Sequence, residues 1–454
     1  MRAGNHALIL GGSMAGLATA AALSDRFDRI TIVDRDGLPD GPVGRRGVPQ
    51  GRHGHALLPG GLEELSALLP GLLGDLQHAG AETIRRGDDL RFHSHAGMLR
   101  QVEFERDVVA ATRPLIEWTV RARVRRLPNV TFREGCDIRR LMTAGHRVVG
   151  AVVAAHGSDV EEGLHADLIV DATGRGSRTP RWLEELGFDA PTTDEVHVDV
   201  RYTTRLFRYA SPPGGARQIL VTGNPGNPRG AFAQAVEGDR WLVMLIGMHG
   251  EQPPSDLAGF VDYAHRLAAP DIAELITGAI PDGDAETTTY PASRRRRYER
   301  LRRFPERYVV VGDALCSFNP IYGQGMSVAA REARILRNVA DRGLNRVGPR
   351  FFRRARRVVD VPWDQSVGSD LRDPRVVGPR PLRWRLVTAY LDRVFPAATR
   401  DPVVALRLFH VIGLVAAPES LMHPAVVARV LRDHRRHGTS IPASAEMAPA
   451  TLAR

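Results

Sequence analysis

The chain has 454 residues, 43% of them hydrophobic, and a formal net charge of +10 from 62 basic and 52 acidic side chains. All the basic side chains are arginine, which excludes chemistry that needs a lysine amine, such as a Schiff base or a phosphate-loop lysine. The length predicts two or three domains, and no zinc-finger or RNA-recognition signature accompanies the positive charge, so we expect no nucleic-acid partner.

The first forty residues predict a β-α-β unit. Residues 6–10 predict a buried strand, residues 14–24 a helix of small residues, and residues 29–34 a second strand. The same residues form an apolar run that superficially resembles a signal peptide, but glycines at phosphate-loop spacing interrupt it. We therefore interpret the run as this β-α-β unit.

The glycine turn of this unit predicts a dinucleotide site. Gly11 permits the sharp turn from strand to helix, and Gly16 permits close packing of the helix on the strand. The helix start offers N–H groups to a pyrophosphate, and Asp34 can accept from ribose hydroxyls. Ser13 stands where the middle glycine is expected. The alternative is a glycine loop without function.

The middle of the chain predicts further elements of the same domain. Residues 35–61 predict an ordered loop, and residues 112–127 predict a helix. Arg113 opens that helix and can reach the phosphates of a dinucleotide, or it can merely cap the helix. Three strands are predicted next, at Val130–Arg133, Val148–Ala154 and Leu168–Asp171.

Residues 196–206 alternate between apolar and polar side chains, which predicts a half-buried antiparallel strand. Residues 217–222, 230–236 and 240–247 continue the pattern, so we expect an inserted antiparallel sheet that roofs a substrate cavity. Core packing explains the proposed lining residues equally well. They are Phe232, Gln234, Trp241 and Met244.

The chain then returns to the first domain. Tyr308–Val311 predicts a buried strand, Gly312-Asp313 a turn, and a helix follows from about Gln324. Asp313 can accept from a ribityl hydroxyl, or it can be an ordinary helix cap. Residues 350–454 predict an arginine-rich helical region whose last fifteen residues are disordered.

The two glycine motifs together predict FAD in a split, Rossmann-like domain of the GR2 type, which makes the fold α/β. We expect this domain at residues 1–180 and 291–350, the inserted sheet domain at 185–290 and a helical region at 351–454. The residues expected to bind FAD are Gly11, Ser13, Met14, Ala15, Gly16, Asp34, Arg35, Arg46, Arg113, Gly312, Asp313, Pro320, Gly323, Gln324, Gly325 and Met326.

Three further segments carry a family resemblance over roughly residues 5–365. Asp171-Ala172-Thr173-Gly174 resembles the central motif of flavoprotein monooxygenases of the p-hydroxybenzoate-hydroxylase fold, in a form nearer to geranylgeranyl reductases and flavin halogenases. The segments from Arg45 to Leu58 and from Cys316 to Ser327 resemble the squalene-epoxidase-like enzymes that epoxidise polyenes in polyether biosynthesis.

The resemblance implies an FAD-dependent epoxidase of secondary metabolism. One oxygen atom from O2 enters an olefinic, apolar metabolite, such as a polyketide or isoprenoid polyene, through a flavin C4a-hydroperoxide. The alternatives are an aromatic hydroxylase of the same fold and a flavin-dependent prenyl-chain reductase. A halogenase is disfavoured because that class uses a lysine, and this sequence contains none.

The resemblance assigns no firm catalytic side chain, because the flavin carries the chemistry. Phe318 and Tyr322 are expected at the flavin face. A phenol hydroxylase benefits from a base, and the candidates, for which packing is the other interpretation, are His53, His55, Tyr202, Tyr263 and Tyr290.

Partners and compartment follow from the remaining features. NAD(P)H would supply electrons directly or through a partner reductase. The basic run from Arg294 to Arg303 can dock an acyl carrier protein or the NADPH phosphate, or it can be a solvated face. The two cysteines, Cys136 and Cys316, have no metal-site or disulfide spacing, which fits the cytoplasm. The most apolar stretch, residues 403–418, is interrupted by charge, so no transmembrane segment is expected.

Overall fold

A computed structural model describes residues 2–84, 87–103, 105–378, 380 and 382–438. The tail predicted to be disordered, residues 440–454, lies outside the described residues. Among the described residues, no helix combines the length and the apolar character needed to cross a bilayer.

Across the described residues, the strands form four sheets, one of them entirely parallel. In chain order they are β1 (Gly4–Leu10), β2 (Phe27–Val33), β3 (Ala56–Leu57), β4 (Glu82–Ile84), β5 (Leu90–Ser94), β6 (Gly97–Met98), β7 (Val108–Ala110), β8 (Val130–Arg133), β9 (Cys136–Ala144), β10 (Arg147–Ala155), β11 (Glu161–His165), β12 (Leu168–Asp171), β13 (Thr193–Arg208), β14 (Gln218–Val221), β15 (Arg229–Val236), β16 (Arg240–Met248), β17 (Ile280–Pro281), β18 (Glu286–Arg296), β19 (Tyr308–Val310) and β20 (Cys316–Ser317).

The helices surround these sheets. They are α1 (Met14–Leu23), α2 (Pro59–Leu68), α3 (Leu72–His78), α4 (Arg113–Arg125), α5 (Thr179–Glu185), α6 (Leu257–His265), α7 (Asp271–Ile276), α8 (Gly325–Ala340), α9 (Val347–Asp370), α10 (Leu382–Arg400), α11 (Pro402–Ile412) and α12 (Pro424–His437).

The parallel sheet has the strand order β19-β12-β1-β2-β8. Its central strands are continuous apolar runs because helices cover both faces of such a sheet. The predicted Rossmann-like α/β core is confirmed, and the strands at Val130–Arg133 and Leu168–Asp171 have the predicted bounds. The carboxyl ends of β1, β12 and β19 meet at one edge, which is where ligands bind in folds of this type.

The large sheet has nine strands, built mainly from β13 to β18. One face packs toward the parallel sheet through Val198, Val200 and Tyr202, as the alternation in residues 196–206 predicts. The other face packs against α6 and α7. Strands β5, β6 and β20 also join this sheet, so it extends beyond residues 185–290.

Trp241 does not share a sheet face with the other three predicted lining residues. Phe232 pairs with Met244 and Gln234 with Leu242, and these four side chains share the face toward the parallel sheet. Trp241 lies on the opposite face, in the core that the sheet forms with α6 and α7. Side chains alternate between faces along a strand, so Trp241 and Met244 cannot share a face.

The C-terminal helices pack against the rest of the protein in two places. Helix α9 packs on α8, and the side chain of its last residue, Asp370, contacts Asn319 and Tyr322 in the loop after β20. Helices α10 to α12 form a separate core with the small sheet β3-β7-β4.

Candidate active site

In the first glycine turn, two glycines approach backbone atoms so closely that no residue with a side chain could replace them. Gly11 has φ +107°, and a Cβ there would be 2.5 Å from the carbonyl oxygen of Ala172. A Cβ at Gly16 would be 1.8 Å from the carbonyl oxygen of Gly11. The two glycines therefore have the roles that the sequence predicts, a strained turn and a close helix–strand approach.

Asp34 lies beside this turn, at the end of β2. Its Oδ2 accepts from the Gly12 backbone N–H at 2.6 Å, and its Oδ1 is 3.1 Å from Nη1 of Arg45. Asp34 is 7% exposed, and these two partners fix the position of its carboxylate.

A buried ion-pair network extends from Asp34 to α4. Nε of Arg45 donates to Glu117 at 2.8 Å, and Arg113 donates to the same carboxylate at 2.8 Å. Ser13 donates to Glu117 and accepts from Arg113. Burial acts to raise the pKa of Glu117, but the Arg113 and Arg45 guanidiniums outweigh it and hold that pKa at about 2. The carboxylate is therefore ionised at neutral pH.

Arg113 is placed for a negatively charged ligand. It is 4% exposed and touches Ser13 of the glycine turn, while its Nε is buried without a hydrogen-bond partner among the described residues. Arg45, Arg113 and Glu117 also line a small cleft with Val48 and Gly51. The guanidiniums at this cleft and the N-terminus of α1 carry the charge that complements a pyrophosphate.

Sequence reasoning selected the neighbouring arginines instead of Arg45. The Arg35 side chain is 66% exposed and Arg46 is exposed, so neither joins the buried network. Arg45 and Glu117 were missed because they lie 72 positions apart in sequence. Arg113 and Glu117 lie four residues apart on one helix, and this spacing is the sequence feature that could have identified Glu117.

The central motif is organised around Asp171, which is fully buried. Its carboxylate accepts from the backbone N–H and the hydroxyl of Thr173 and from the hydroxyls of Ser177 and Thr179. This fixes the loop that crosses the edge of the sheet. From that loop, Arg175 donates to Ser317 Oγ at 2.8 Å and covers the ring of Tyr290.

The second glycine turn meets the first. A Cβ added at Gly312 would be 2.7 Å from the Cβ of Ala15, and Gly312 has φ +64°. The Gly312 N–H donates at 2.6 Å to Glu332, a fully buried carboxyl group on α8. Burial raises the pKa of Glu332 to about 8.

Asp313 is a half-buried carboxyl group with no hydrogen-bond partner among the described residues. Its Oδ1 faces Gly325 at the start of α8, 3.9 Å from where a Cβ would be. Burial raises its pKa, and Arg175, Arg113 and Arg296 oppose that shift. The Asp313 carboxyl group can therefore accept a hydrogen bond from a ligand.

The loop from Asn319 to Gly325 follows this turn and is partly exposed at most positions. Pro320, Tyr322, Gly323 and Gly325 are half-buried, whereas Gln324 and Met326 point inward. Phe318 is 7% exposed and packs in the core. Of the two aromatic residues expected at the flavin face, Tyr322 is the more accessible.

A polar chain that the sequence did not predict crosses this loop. The Tyr322 hydroxyl donates to Oδ1 of Asp370 at 2.9 Å, and the Asn319 amide donates to the same oxygen at 3.0 Å. Tyr202, from the large sheet, donates to Oδ1 of Asn319 at 3.3 Å. Asp370 ends a long helix without any motif, so no sequence signal identified it.

Two histidines separate the large sheet from the dinucleotide turn. His53 is hydrogen-bonded to Thr204 at 2.8 Å, and burial lowers its pKa to about 4. Burial likewise lowers the pKa of His55 to about 3, and its Nδ1 donates to the His53 carbonyl at 2.9 Å. Both rings are therefore neutral at pH 7, and His55 has Nε2 as an acceptor.

The predicted lining residues on this face pack against the histidine segment. Gln234 is fully buried and donates to the His55 and Ala111 carbonyl oxygens. Phe232 lies against Gly54, where a Cβ would be 2.5 Å from the ring. Met244 is 5% exposed beside Phe232.

The basic run is neither wholly exposed nor unpaired. It begins on β18, where Arg294 pairs with Glu195 and Arg295 with Asp360, and directly after the strand Arg297 pairs with Asp194. Arg295 is 1% exposed, and Arg296 donates to the carbonyls of Ala314 and Arg175, which joins the second and central motifs. The exposed guanidiniums of the run are those of Arg300, Arg302 and Arg303.

The assembled site contains two carboxyl groups, Asp34 and Asp313, and the buried guanidinium of Arg113. This combination suits an extended dinucleotide with hydroxyl groups at both ends and phosphates at the centre. Among the described residues there is no group of histidine, cysteine, aspartate and glutamate side chains arranged to hold a metal ion.

Solved structures with this fold are flavoproteins of several kinds. The myxobacterial chondrochloren halogenase CndH is 19% identical with a TM-score of 0.63, over 92% of this chain and 99% of that one. The p-nitrophenol 4-monooxygenase PnpA of Pseudomonas putida DLL-E4 is 17% identical with a TM-score of 0.63, over 91% and 99%. A flavoprotein/dehydrogenase of Cytophaga hutchinsonii is 16% identical with a TM-score of 0.65, over 94% and 96%. At these identities the likeness shows the fold.

Sequence comparison gives a closer relationship. No protein-family model matches the chain. Protein Rv3254 of Mycobacterium tuberculosis is 34% identical over 466 aligned positions, covering 95% of each protein. The chain therefore belongs to the same family as protein Rv3254.

Proposed function

We propose that this protein is an FAD-dependent monooxygenase. The observation that carries the proposal is the carboxylate of Asp313, which has no hydrogen-bond partner among the described residues and lies where two glycine turns meet. A ribityl hydroxyl would satisfy it. A half-buried carboxyl group that no donor in the described part of the chain satisfies can accept a hydrogen bond from a ligand hydroxyl without losing a protein contact.

The residues present fit the remaining parts of FAD. Asp34 would accept from the adenosine ribose, and the α1 N-terminus with Arg113 would hold the pyrophosphate. The N–H groups at the start of α8 would face the pyrimidine edge of the ring and stabilise negative charge there. When bound, FAD supplies the reduction and activation of O2.

We propose an apolar, olefinic substrate, with a polyketide or isoprenoid polyene as the favoured class and epoxidation as the reaction. Leu242, Met244 and Ile246 give the large sheet an apolar face toward the parallel sheet, and His53 and His55 are neutral, weak bases. Attack on an olefin needs exclusion of water and an apolar wall, with no side-chain nucleophile. NAD(P)H, directly or through a partner reductase, is the proposed electron source.

Aromatic hydroxylation is the second candidate. It benefits from a group that can receive a phenolic proton, and the Tyr322–Asp370 pair is a specific observation in its favour. A prenyl-chain reductase would bind the same cofactor but would saturate a double bond without O2. Oxygen dependence separates that alternative from both monooxygenase reactions.

The test combines cofactor binding with a single turnover. We expect purified protein to bind one FAD per chain, and an Asp313→Asn variant to bind it more weakly. Enzyme reduced with dithionite is then mixed with geranylgeraniol, an olefinic probe, under 18O2. One 18O atom in an epoxide product supports the proposal. A saturated product without 18O supports the reductase, and failure of the wild type to bind FAD overturns all three activities.

A further inference from the structure

Four arginine side chains line a pocket between the end of α8 and the start of α9. They are those of Arg342, Arg350, Arg353 and Arg354. Val339, which is 1% exposed, completes the lining, and the pocket encloses about 150 Å³. The proposed flavin site lies at the other end of α8, and the 16 residues of this helix separate the two by roughly 20 Å.

The fold brings these side chains together at one helix face. Arg350, Arg353 and Arg354 are neighbours because residues three and four positions apart project from the same side of a helix. The Arg350 guanidinium donates to the carbonyl oxygens of Arg342, at 3.1 Å, and Gly343. These two bonds hold the turn after α8 against α9, and they place Arg342 beside the other three arginines.

The residues that line the pocket include no carboxylate. Asp341 is close in sequence, but it pairs with Arg26. Glu306 accepts from the Arg346 backbone N–H at 2.7 Å. Three of the four guanidiniums, all except that of Arg350, have no ion pair or hydrogen bond within the described part of the chain. The protein itself therefore leaves the positive charge of this cluster unbalanced.

Repulsion within the cluster favours an anionic ligand. Burial lowers the pKa of Arg350, and the guanidiniums of Arg354 and Arg342 lower it further, while Glu306 opposes them. Like charges four residues apart destabilise a helix. An anion bound among these groups would offset the repulsion, as the carboxylate of Glu117 does for Arg45.

The donors of this pocket suit phosphate oxygens. A guanidinium carries five N–H donors in one plane and can bind two phosphate oxygens at once. The buried Nε of Arg350 has no hydrogen-bond partner among the described residues. The pocket volume is several times the roughly 30 Å³ that a water molecule takes up in the liquid, which leaves room for a group of several atoms. Arg342 and Arg353 are exposed, so the pocket is open to solvent.

We propose that this pocket binds the phosphate or diphosphate group of a small ligand, at a site that is separate from the cofactor cleft. None of its lining residues belongs to the network of Asp34, Arg113 and Glu117, so the site does not depend on the proposed FAD-dependent activity. The lining contains no aromatic ring that would select a particular organic group. Inorganic diphosphate and an organic diphosphate are therefore the two sources that the test compares.

The test titrates pyrophosphate into FAD-loaded protein, followed by calorimetry at constant ionic strength. FAD keeps the probe away from the proposed cofactor site near Arg113. We expect one pyrophosphate to bind per chain. Arg342→Gln/Arg354→Gln removes two of the four charges and should weaken binding by about tenfold or more, since a charge-assisted hydrogen bond is worth roughly that factor. Arg432→Gln/Arg436→Gln is the matched control, because it removes the same charge from exposed positions on α12.

Three results overturn the site. Equal weakening in the two double variants means that the probe responds only to net charge. Absence of pyrophosphate binding to the wild type at millimolar concentration means that the pocket has no affinity for phosphate, and displacement of FAD means that the probe occupies the cofactor cleft. A hexaglutamate peptide that binds when pyrophosphate does not also overturns the proposal, in favour of an acidic protein partner.

The remaining results support the site and identify its ligand. ADP binding that depends on Arg342 and Arg354 indicates an organic diphosphate, whereas binding of pyrophosphate alone indicates the free ion. If Arg342→Gln/Arg354→Gln does not fold, Arg353→Gln replaces it, because the Arg353 side chain is exposed and unpaired among the described residues. Failure of the wild type to retain FAD overturns the monooxygenase alone, since the variants can also be compared as apoproteins.

Discussion

Gly312 lies directly against Ala15. A Cβ built on Gly312 would be 2.7 Å from the Ala15 Cβ, closer than two methyl groups can approach. The contact joins the turn after β19 to the start of α1, and it brings motifs that are almost three hundred residues apart in sequence into a single cleft. The cleft depends on a residue without a side chain at this position.

Gly312→Ala should therefore weaken both folding and cofactor binding. The substitution adds the cost of a left-handed conformation, about 1–2 kcal/mol, to a clash with Ala15. Gly135→Ala is the matched control, because Gly135 has φ +63° and nothing within 4 Å of its built Cβ. Urea unfolding and FAD titration measure the two effects. Equal loss of stability in both variants would show that the Ala15 contact is unimportant.

Asp313→Asn should reduce FAD affinity by about ten- to a hundredfold, because a hydrogen bond to a charged group contributes about 1.5–3 kcal/mol. Folding should be unaffected or improved, since the carboxylate has no protein hydrogen-bond partner among the described residues and is partly buried. Asp189→Asn, at an exposed position, is the control. Flavin fluorescence on titration gives both dissociation constants, and an unchanged affinity in Asp313→Asn would remove Asp313 from the cofactor site.

Glu332 should make stability depend on pH. Its pKa is about 8 in the folded protein and 4.5 ordinarily, so between these values the folded state keeps a proton that the unfolded chain releases. Raising the pH through this window therefore costs stability, by up to about 1.4 kcal/mol per pH unit. Glu332→Gln keeps an acceptor for the Gly312 N–H and has no proton to lose.

Urea unfolding at pH 5 and pH 8 tests this expectation. The free energy of unfolding of Glu332→Gln minus that of the wild type should be larger at pH 8 than at pH 5. Glu332→Ala should be less stable than Glu332→Gln at both, because it leaves the buried Gly312 N–H without a partner, at about 1–3 kcal/mol. Parallel pH profiles of wild type and Glu332→Gln would mean that Glu332 remains ionised in the fold.

The sequence predicted the elements whose signals are local. The parallel strands at Val130–Arg133 and Leu168–Asp171 are short apolar runs bounded by turn residues, and Gly11 and Gly16 occupy positions that only glycine fits. These features need no information from distant parts of the chain, and they were enough to predict the α/β core.

The features that the sequence did not predict depend on contacts between distant segments. Trp241 was grouped with residues of the opposite face because both faces of β16 are buried, so the alternation that separates them disappears. Arg45 and Glu117 meet across 72 residues, and Asp370 meets Tyr322 across 48. A single sequence holds no periodicity that links such pairs.

The two faces of β16 give a last, internally controlled test. Met244 faces the side of the large sheet toward the parallel sheet, where the proposed cleft lies, and its neighbour Val243 faces the core with α6 and α7. Both are buried, so Met244→Ala and Val243→Ala should each destabilise folding, by about 2–5 kcal/mol for the methionine. Only Met244→Ala enlarges the space beside the proposed substrate, so only this variant should change the affinity or the product distribution for an olefinic probe such as geranylgeraniol.

The comparison is made on FAD-loaded protein at a temperature where both variants are folded. If Val243→Ala alters the probe's binding as strongly as Met244→Ala does, the effect comes from loosening of the sheet, and the cleft does not lie on the Met244 face.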